Sequence, residues 1–284
     1  MYKIVSKKFL NTSVFQMEIK APLVARSAKA GEFIILRASE DGERVPFTIA
    51  STNKKSGIVK IIVQIVGATT KILSQKNVGD YIFDFVGPLG NPTEIKNIKN
   101  ACIIGGGVGC AIAMPIAKAL KDNGAFVTSI IGFRNKGLVI LENEFKKISN
   151  KLIITTDDGS YKNKGNVTIP LRELLQNGEK FDHIFAIGPL VMMKYVTLTA
   201  KEFGVPVTVS MNPIMIDGTG MCGGCRLSIT RNGKKYTKFA CVDGPDFDGY
   251  EVDFDEMISR NKMYENFERK AYDKTCNLFK QVDN

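Results

Sequence analysis

Three cysteines and an aspartate in a glycine-rich stretch near the C-terminus constrain the fold of this chain more than any other feature. They follow the spacing D-x4-C-x2-C-x15-C and are Asp217, Cys222, Cys225 and Cys241. A plant-type 2Fe-2S site has the spacing C-x4-C-x2-C…C, so the aspartate stands where the first cysteine is expected. Glycines between these residues let a loop wrap closely around a cluster, and they are Gly218, Gly220, Gly223 and Gly224. The pattern predicts a 2Fe-2S site with Asp217 as its fourth ligand.

Other interpretations of these residues stay open at this point. Structural zinc could use three cysteines and an aspartate, but zinc sites usually contain paired C-x2-C units, and this chain has one. A redox-active dithiol needs only Cys222 and Cys225, and it gives Cys241 and the glycines no role. Asp217 could also be a turn residue, with water or another residue as the fourth ligand.

Composition limits the classes of function. The 284 residues suit two domains with an appendage. Lys and Arg exceed Asp and Glu by 39 to 29, but the basic residues are scattered, which does not favour nucleic-acid binding and leaves room for an acidic electron-carrier partner. No apolar run approaches the ~18 residues of a membrane span. The first residues lack a secretory h-region, and six cysteines without such a signal indicate reduced thiols in the cytoplasm.

Residues 1–98 are rich in short β-branched and aromatic runs separated by Gly, Pro, Asn and Asp, which predicts a small β-barrel. The predicted strands are 33–37, 47–50, 59–66 and 81–86, with a short helix over 69–76. Arg44 and Thr48 begin one of these strands, and Gly67, Thr69 and Thr70 precede the helix. Alone, these residues are ordinary surface and strand residues, although a flavin site needs such donors.

Residues 99–210 alternate between strands and helices, which predicts a doubly wound parallel sheet. The predicted strands are 101–104, 126–133, 152–156, 183–187 and 205–209, and the predicted helices are 110–122, 142–148, 169–176 and 189–203. Residues 211–249 carry the cysteines and a predicted hairpin with a turn at Asn232-Gly233. Residues 250–284 form a polar extension that is expected to be helical.

The turn after the first strand of this region is rich in glycine and comprises Gly105, Gly106, Gly107, Val108 and Gly109. Its place between a strand and a helix predicts that backbone N–H groups face a pyrophosphate. The G-x-G-x-x-G fingerprint is imperfect, because Cys110 takes its third glycine position. Arg134 follows the second strand where an acid is usual, so NAD and NADP both stay open.

Two further turns follow predicted strands at the carboxyl edge of the sheet, where open α/β sheets bind ligands. They are Asp157-Asp158 and Gly188-Pro189, and by composition alone both are ordinary turns. His183, Cys102 and Cys110 are expected to pack in the core. No set of Ser, His and Asp residues and no carboxylate pair suggests a catalytic side chain.

In this order the motifs resemble the flavin-dependent ferredoxin reductase superfamily, and the resemblance spans nearly the whole chain. The most specific stretches are RVPFTIA, GGGVGCAIAMPIAK, TTDDGSYKNKG, IGPLVMMK, NPIMIDGTGMCGGCR and FACVDGPDFDG. Within it the chain is similar to the dihydroorotate dehydrogenase electron-transfer subunits. It is more similar to the small subunits of NADH-dependent ferredoxin:NADP+ oxidoreductases, electron-bifurcating transhydrogenases. The dihydroorotate branch has cysteine at the position of Asp217, whereas the transhydrogenase branch has aspartate there and a C-terminal extension.

The resemblance implies an FAD-binding β-barrel, an α/β nucleotide domain for NAD(H) and a C-terminal 2Fe-2S segment. The residues that match flavin contacts are Arg44, Pro46, Phe47, Thr48, Gly67, Thr69 and Thr70. Nicotinamide-nucleotide contacts match at Gly105 to Gly109, Asp157, Asp158, Gly188 and Pro189, and cluster ligands at Cys222, Cys225 and Cys241. The resemblance further implies hydride exchange between NAD(H) and FAD, single-electron transfer through the cluster, and a larger iron–sulfur flavoprotein partner in a heterodimer.

Overall fold

The structure is a computed structural model that describes residues 1–282, with side chains described through residue 276. A β-barrel, an α/β sheet and a glycine-rich segment with a helical extension follow one another along the chain. The fold class expected from the sequence is confirmed. The domain limits 1–98, 99–210, 211–249 and 250–284 stay predictions.

The barrel consists of a five-stranded sheet and a three-stranded sheet that share one core. Its strands are β1 (Tyr2–Phe9), β2 (Val14–Lys20), β3 (Phe33–Arg37), β4 (Arg44–Thr48), β5 (Ser51–Asn53), β6 (Ile58–Gln64), β7 (Tyr81–Ile82) and β8 (Asp84–Leu89). Its helices are α1 (Pro22–Ser27) and α2 (Ala68–Gln75). The sheet orders are β5-β6-β2-β1-β7 and β4-β3-β8, and all pairings are antiparallel.

Strand β3 connects the barrel to the rest of the molecule because its side chains alternate between two cores. Ile34 and Leu36 point into the barrel core. Phe33 and Ile35 point the other way, into the core that the α/β sheet shares with the cysteine segment, residues 211–249. Such alternation follows from the two-residue period of a strand. Both faces of β3 are therefore buried, and the α/β region and the cysteine segment pack directly on the barrel.

The α/β region is a sheet with helices on both faces. Its strands are β9 (Asn100–Gly106), β10 (Phe126–Phe133), β11 (Lys151–Thr156), β12 (Asn163–Lys164), β13 (His183–Ile187) and β14 (Val207–Ser210). Its helices are α3 (Gly109–Asp122), α4 (Glu142–Ile148), α5 (Thr168–Gln176) and α6 (Leu190–Glu202), with a 3-10 turn at Lys136–Leu138. The six strands are parallel in the order β12-β11-β10-β9-β13-β14. This order reverses between β9 and β13, the switch point beside which such sheets bind ligands.

The last part of the chain contains a hairpin, one edge strand and two helices. These are β15 (Arg226–Arg231), β16 (Lys234–Phe239), β17 (Asp246–Asp248), α7 (Phe254–Asn261) and α8 (Glu265–Val282), with a 3-10 turn at Lys262–Tyr264. Asn232 and Gly233 form the predicted hairpin turn with φ values of 51° and 74°. Strand β17 adds an antiparallel edge to the α/β sheet beside β14, and α8 packs against α2 of the barrel. Within residues 1–282, none of the helices combines the length and apolar composition that a membrane crossing needs.

Some predicted elements differ from the structure. The strand expected over 81–86 is divided into β7 and β8, because Tyr81 and Ile82 pair with β1 of one sheet whereas the residues from Asp84 pair with β3 of the other. The strand expected over 47–50 begins earlier, at Arg44, and ends at Thr48. The sequence does not predict the strands β1 and β2. Exposed lysines interrupt the alternating pattern by which Ile4, Phe15 and Met17 point into the core.

Candidate functional site

The ligand loop, residues 212–225, carries three of the four predicted cluster ligands between β14 and β15. Oδ2 of Asp217 accepts hydrogen bonds from the Thr219 hydroxyl at 2.8 Å and from the N–H groups of Met221 and Cys222 at 2.9 and 3.2 Å. Its other oxygen, Oδ1, lies 3.1 Å from the Sγ of Cys222. One carboxylate oxygen therefore fixes the loop, while the other faces a second predicted ligand.

These contacts also set the charge of Asp217. Burial opposes ionisation, but the hydrogen bonds from the Cys222 thiol, the Thr219 hydroxyl and the two amides outweigh it and hold the pKa of Asp217 well below its ordinary value. The side chain is therefore an anion at neutral pH. An ionised carboxylate brings the same single negative charge to a metal site as a thiolate does.

The other two predicted ligands lie at the base of the β15–β16 hairpin. Cys225 and Cys241 are buried, and their Sγ atoms are 3.1 Å apart. The N–H of Ala240 donates to the carbonyl of Cys225 at 3.1 Å and holds the two strand ends together. Burial and the adjacent Cys225 thiol raise the pKa of Cys241 to about 12. Metal binding must release this proton, so loading of the site is expected to depend on pH.

The four predicted ligands thus form two pairs, Asp217 with Cys222 and Cys225 with Cys241. Among the described side chains, no group of three or more His, Cys, Asp or Glu residues is arranged to hold a metal ion. A structural zinc ion needs four ligands around one centre, whereas a 2Fe-2S cluster takes two protein ligands on each iron. The paired donors fit a two-iron cluster better than zinc, and the ligand assignment stays a prediction.

The barrel determines where the ligand loop lies. Gly218 has φ of 78°, and a Cβ atom on it would come within 2.7 Å of Leu89 and 2.8 Å of Ile35. The left-handed φ favours glycine at this position, and the loop backbone lies against side chains of β3 and β8. The predicted cluster site is therefore built directly on the three-stranded barrel sheet.

Strand β4 carries the four predicted flavin contacts of RVPFTIA and distributes them over two faces. Pro46 pairs with Ile35 and Thr48 with Phe33, so both lie on the outward face toward the ligand loop and the α/β sheet. Arg44 shares this face, and its Nε donates to the carbonyl of Ile216 at 2.8 Å. Phe47 points the other way and packs against the barrel core, so its side chain is a packing residue in this structure.

The first turn of α2 carries the other predicted flavin residues. The Thr70 hydroxyl accepts from the N–H groups of Val66 and Gly67 at 3.0 Å, and the Thr69 hydroxyl donates to Oε2 of Glu43 at 3.1 Å. These hydroxyls therefore organise the turn itself. Gly67 has open space where a side chain would be, so a bound group can approach its backbone. The bond between Thr69 and Glu43 brings this turn close to the start of β4, where Arg44 lies, and the open turn and the cationic Arg44 fit the pyrophosphate of FAD.

A cleft of about 890 Å³ separates the barrel from the α/β sheet at the switch point between β9 and β13. Predicted nucleotide residues line it after three strands, and they are Gly106, Gly107, Val108, Gly109, Asp157, Gly188 and Pro189. Its size is within the ~300–1,000 Å³ typical of small-molecule sites. Arg134 also lines the cleft. The cleft fits a nicotinamide dinucleotide that approaches the barrel surface.

Two predicted nucleotide residues do not line this cleft. A Cβ atom on Gly105 would come within 2.9 Å of the Cys110 Sγ, so Gly105 serves the packing of α3 on β9. Asp158 accepts from the N–H of Ser160 at 2.9 Å, and the Ser160 contacts hold the pKa of Asp158 below its ordinary value. In this structure Asp158 is a turn residue.

Polar cleft residues that the sequence did not indicate come from distant segments, and they are Asn11, Ser13, Gln64, Asn166, Thr168, Tyr195, Ser210 and Asn212. The barrel residues among them have no sequence signal, because only the packing of the barrel on the α/β sheet brings them to the cleft. Ser210 ends the parallel strand β14, and Asn212 follows it at its carboxyl end. Open α/β sheets bind ligands at the carboxyl ends of their strands, so this position is the sequence signal that could have identified both residues.

Asp246, which is not a predicted ligand, leads to a prediction of how the stability of the protein depends on pH. Its Oδ2 accepts from the Thr93 hydroxyl at 2.6 Å, while Oδ1 is buried with no hydrogen-bond partner among the described residues. Burial raises the pKa of Asp246, so the folded state holds the proton more tightly than the unfolded chain. This contribution to stability is complete below the ordinary pKa of Asp, near 4, and is lost as pH rises through the raised value.

Asp246→Asn keeps the shape of the neutral acid and removes this loss. We expect the variant to gain stability over the wild type as pH rises from 5 to 8, by up to about 1.4 kcal/mol for each pH unit over which the folded-state carboxyl keeps its proton. Thermal unfolding midpoints across this range measure the effect. Asp41→Asn, at an exposed position of the barrel, is the control and should show no such gain. A difference in unfolding midpoint between Asp246→Asn and the wild type that stays constant from pH 5 to 8 would contradict the account of Asp246.

Two family models match the chain. Residues 2–93 match the oxidoreductase FAD-binding domain, and residues 212–253 match the iron–sulfur cluster binding domain of dihydroorotate dehydrogenase B. The matched ranges contain the barrel surface around Arg44 and all four predicted cluster ligands.

Relatives match over nearly the whole chain. A Thermotoga maritima protein, described as a homolog of the dihydroorotate dehydrogenase B (NAD+) electron transfer subunit, is 48% identical and aligns over 96% of this chain and 94% of its own. The electron transfer subunit itself from Streptococcus pneumoniae serotype 4 is 32% identical over 86% and 97%. A chain from the structure of an NADH-dependent reduced ferredoxin–NADP oxidoreductase, solved in work on flavin-based electron bifurcation, is 47% identical over 96% and 97%, with a TM-score of 0.90.

Proposed function

Because the chain belongs to the family of dihydroorotate dehydrogenase B electron-transfer subunits and their homologs, we propose that it exchanges hydride with NAD(H) at FAD and passes single electrons through a 2Fe-2S cluster. It carries an FAD-binding domain and an iron–sulfur domain, and it is an oxidoreductase of the flavin-dependent class. The proposed electron acceptor or donor beyond the cluster is a larger iron–sulfur flavoprotein subunit in a heterodimer. We place the pair in the cytoplasm, where the cysteine ligands stay reduced.

The docking of the ligand loop on the flavin barrel carries this proposal. Gly218 lies against Ile35 of β3, and Arg44 of β4 bonds to the carbonyl that precedes Asp217. The two proposed cofactor sites are therefore adjacent surfaces of one small sheet. Electron transfer between a flavin and a cluster needs such proximity, and a binding module without redox function does not.

The protein residues supply binding and orientation in this scheme. Bound FAD supplies the hydride exchange with nicotinamide and the single-electron exchange with the cluster. The glycine turn after β9 would bring backbone N–H groups close to the dinucleotide, in the cleft between the barrel and the α/β sheet. Oδ2 of Asp217 orients the carboxylate through three hydrogen bonds, which leaves Oδ1 as the donor oxygen. Hydride exchange requires no acid–base side chain.

Within the family, we propose that the chain is the small subunit of an NADH-dependent ferredoxin:NADP+ oxidoreductase that takes part in electron bifurcation. Asp217 at the first ligand position supports this choice over a dihydroorotate dehydrogenase subunit. The degree of similarity supports it too, since identity is 47% over 96% of the chain in one case and 32% over 86% in the other. The alternative is an electron-transfer subunit of NAD-dependent dihydroorotate dehydrogenase.

Exposed apolar side chains in the ligand loop and directly after Cys241 form a candidate docking face for the larger subunit. They are Ile214, Ile216, Met221 and Val242, and Met221 is 89% exposed. An apolar patch at the edge of a buried redox site suits a partner that receives electrons there.

Pull-down of the tagged chain from its native cells, followed by kinetic assays, tests the proposal. We expect a large iron–sulfur flavoprotein to accompany the chain and the complex to couple NADH with ferredoxin and NADP+. Rapid mixing of the chain with NADH should reduce its flavin. Co-purification with a dihydroorotate-oxidising subunit would support the alternative instead. A chain that binds zinc and no flavin would refute both.

A further inference from the structure

Arg44 connects the two proposed cofactor sites through a direct contact. It is the first residue of β4, and its Nε donates to the carbonyl of Ile216, which lies 172 positions away in the sequence. Ile216 immediately precedes Asp217, the predicted cluster ligand. A side chain of the flavin-binding surface therefore holds the backbone of the ligand loop.

The acidic neighbours of Arg44 are engaged elsewhere. Arg37, its partner across the β3–β4 ladder, forms an ion pair with Asp84 at 2.8 Å. The carboxylate of Glu43 accepts from the Thr69 hydroxyl. Among the described residues, Arg44 has no carboxylate within ion-pair distance, and its one hydrogen bond uses Nε. The two terminal Nη groups are thus left for an external anion, and a guanidinium fork matches the geometry of a phosphate.

We propose that Arg44 is a positioning residue that couples FAD binding to the order of the ligand loop. Its Nε holds Ile216, and its Nη groups bind the pyrophosphate of the flavin dinucleotide. A bound pyrophosphate fixes the guanidinium and so strengthens its hold on the loop. The inference rests on the proposed function, since it requires both cofactors. By linkage, a loaded cluster increases the affinity for FAD by the same factor as FAD stabilises the loaded loop.

The surroundings of the contact explain why one hydrogen bond matters here. Gly218 fixes the loop against Ile35 on one side of Asp217, and Arg44 fixes it at Ile216 on the other. Asp217 lies between these two anchors. Loss of the Arg44 anchor frees the loop at the residue next to the ligand, while the Gly218 anchor still keeps the loop on the barrel.

The rate at which a chelator removes iron from the purified protein, with and without saturating FAD, tests the coupling. In the wild type we expect FAD to slow iron loss by about tenfold, within the usual range of coupling between two sites. Arg44→Lys keeps the positive charge but cannot make the forked contact and the Nε contact together. For Arg44→Lys, the ratio of the iron-loss rate without FAD to the rate with FAD should fall toward one. Arg37→Lys changes the neighbouring arginine and should keep the wild-type ratio.

A second comparison of iron-loss rates, in the absence of FAD, measures the effect of the Nε contact alone. The flavin-free Arg44→Lys protein should lose iron faster than the flavin-free wild type, whereas Arg37→Lys should match the wild type. Equal flavin-free rates in wild type and Arg44→Lys would overturn the inference. Tenfold protection in an Arg44→Lys protein shown by its absorbance to contain FAD would also overturn it. In both cases the proposed function stands, and it fails if the wild type lacks either FAD or the iron–sulfur cluster.

Discussion

Replacement of Asp217 by alanine is expected to reduce the iron bound per chain by at least about tenfold, because one of the four predicted ligands is lost. Alanine also removes the acceptor of the Thr219, Met221 and Cys222 hydrogen bonds, which organise the ligand loop. Iron content and the EPR signal of the reduced protein measure the loss. The flavin absorbance should persist at saturating FAD, although loss of the cluster is expected to weaken FAD binding by about tenfold through the linkage at Arg44.

Two further substitutions separate a ligand from a turn residue at this position. Asp217→Asn keeps an oxygen that can accept from the Met221 and Cys222 amides, but it removes the negative charge. We expect it to lose iron like the alanine variant. Asp217→Cys restores an anionic ligand and should assemble a cluster with a shifted reduction potential, because a thiolate is softer and more covalent than a carboxylate. Wild-type iron content and potential in the asparagine variant would show that Asp217 only shapes the turn.

Gly109→Ala is expected to slow flavin reduction by NADH by about a hundredfold, the cost of a small misplacement at a reacting site. A Cβ atom at this position would come within 2.4 Å of the carbonyl oxygen of Ile187 and 2.8 Å of the Cα of Gly188. Both are backbone atoms that cannot move aside without shifting β13. The start of α3 must therefore move away from the switch point and distort the nucleotide cleft.

Rapid-mixing kinetics with NADH measure this effect. Gly137→Ala is the matched control, because the nearest atom to its added Cβ lies at an ordinary 3.4 Å, in the same α/β region. Flavin and cluster content should be unchanged in both variants, and dithionite should reduce both normally. A Gly109→Ala protein that reacts with NADH at the control rate would show that the glycine turn does not form the nucleotide site.

The sequence predicts most of the α/β region because its strands are continuous apolar runs. The bounds of β10 and β13 agree with the predicted 126–133 and 183–187, since their residues are buried between helices on both faces. The β17 edge strand was not predicted, because Asp246–Asp248 is short and polar. Its pairing depends on the β14 edge, which a local pattern does not describe.

The candidate site was predictable where it depends on spacing and not where it depends on packing. The x4 spacing brings Asp217 beside Cys222, and the hairpin returns Cys241 to Cys225, as a ligand pattern requires. The contact between Arg44 and Ile216 joins residues 172 positions apart and has no sequence signal. The division of β4 into an outward face and a core face, which turns Phe47 inward, appears only once the register with β3 is known.

Addition of NADH to the anaerobically purified chain, followed by visible absorption and EPR, tests the central claim most directly. The account predicts one FAD and one 2Fe-2S cluster per chain, bleaching of the flavin absorbance by NADH, and the EPR signal of a reduced 2Fe-2S cluster that disappears in Asp217→Ala. A colourless, zinc-containing protein would contradict the account. So would a protein whose flavin NADH reduces while no iron–sulfur signal can be generated by any reductant.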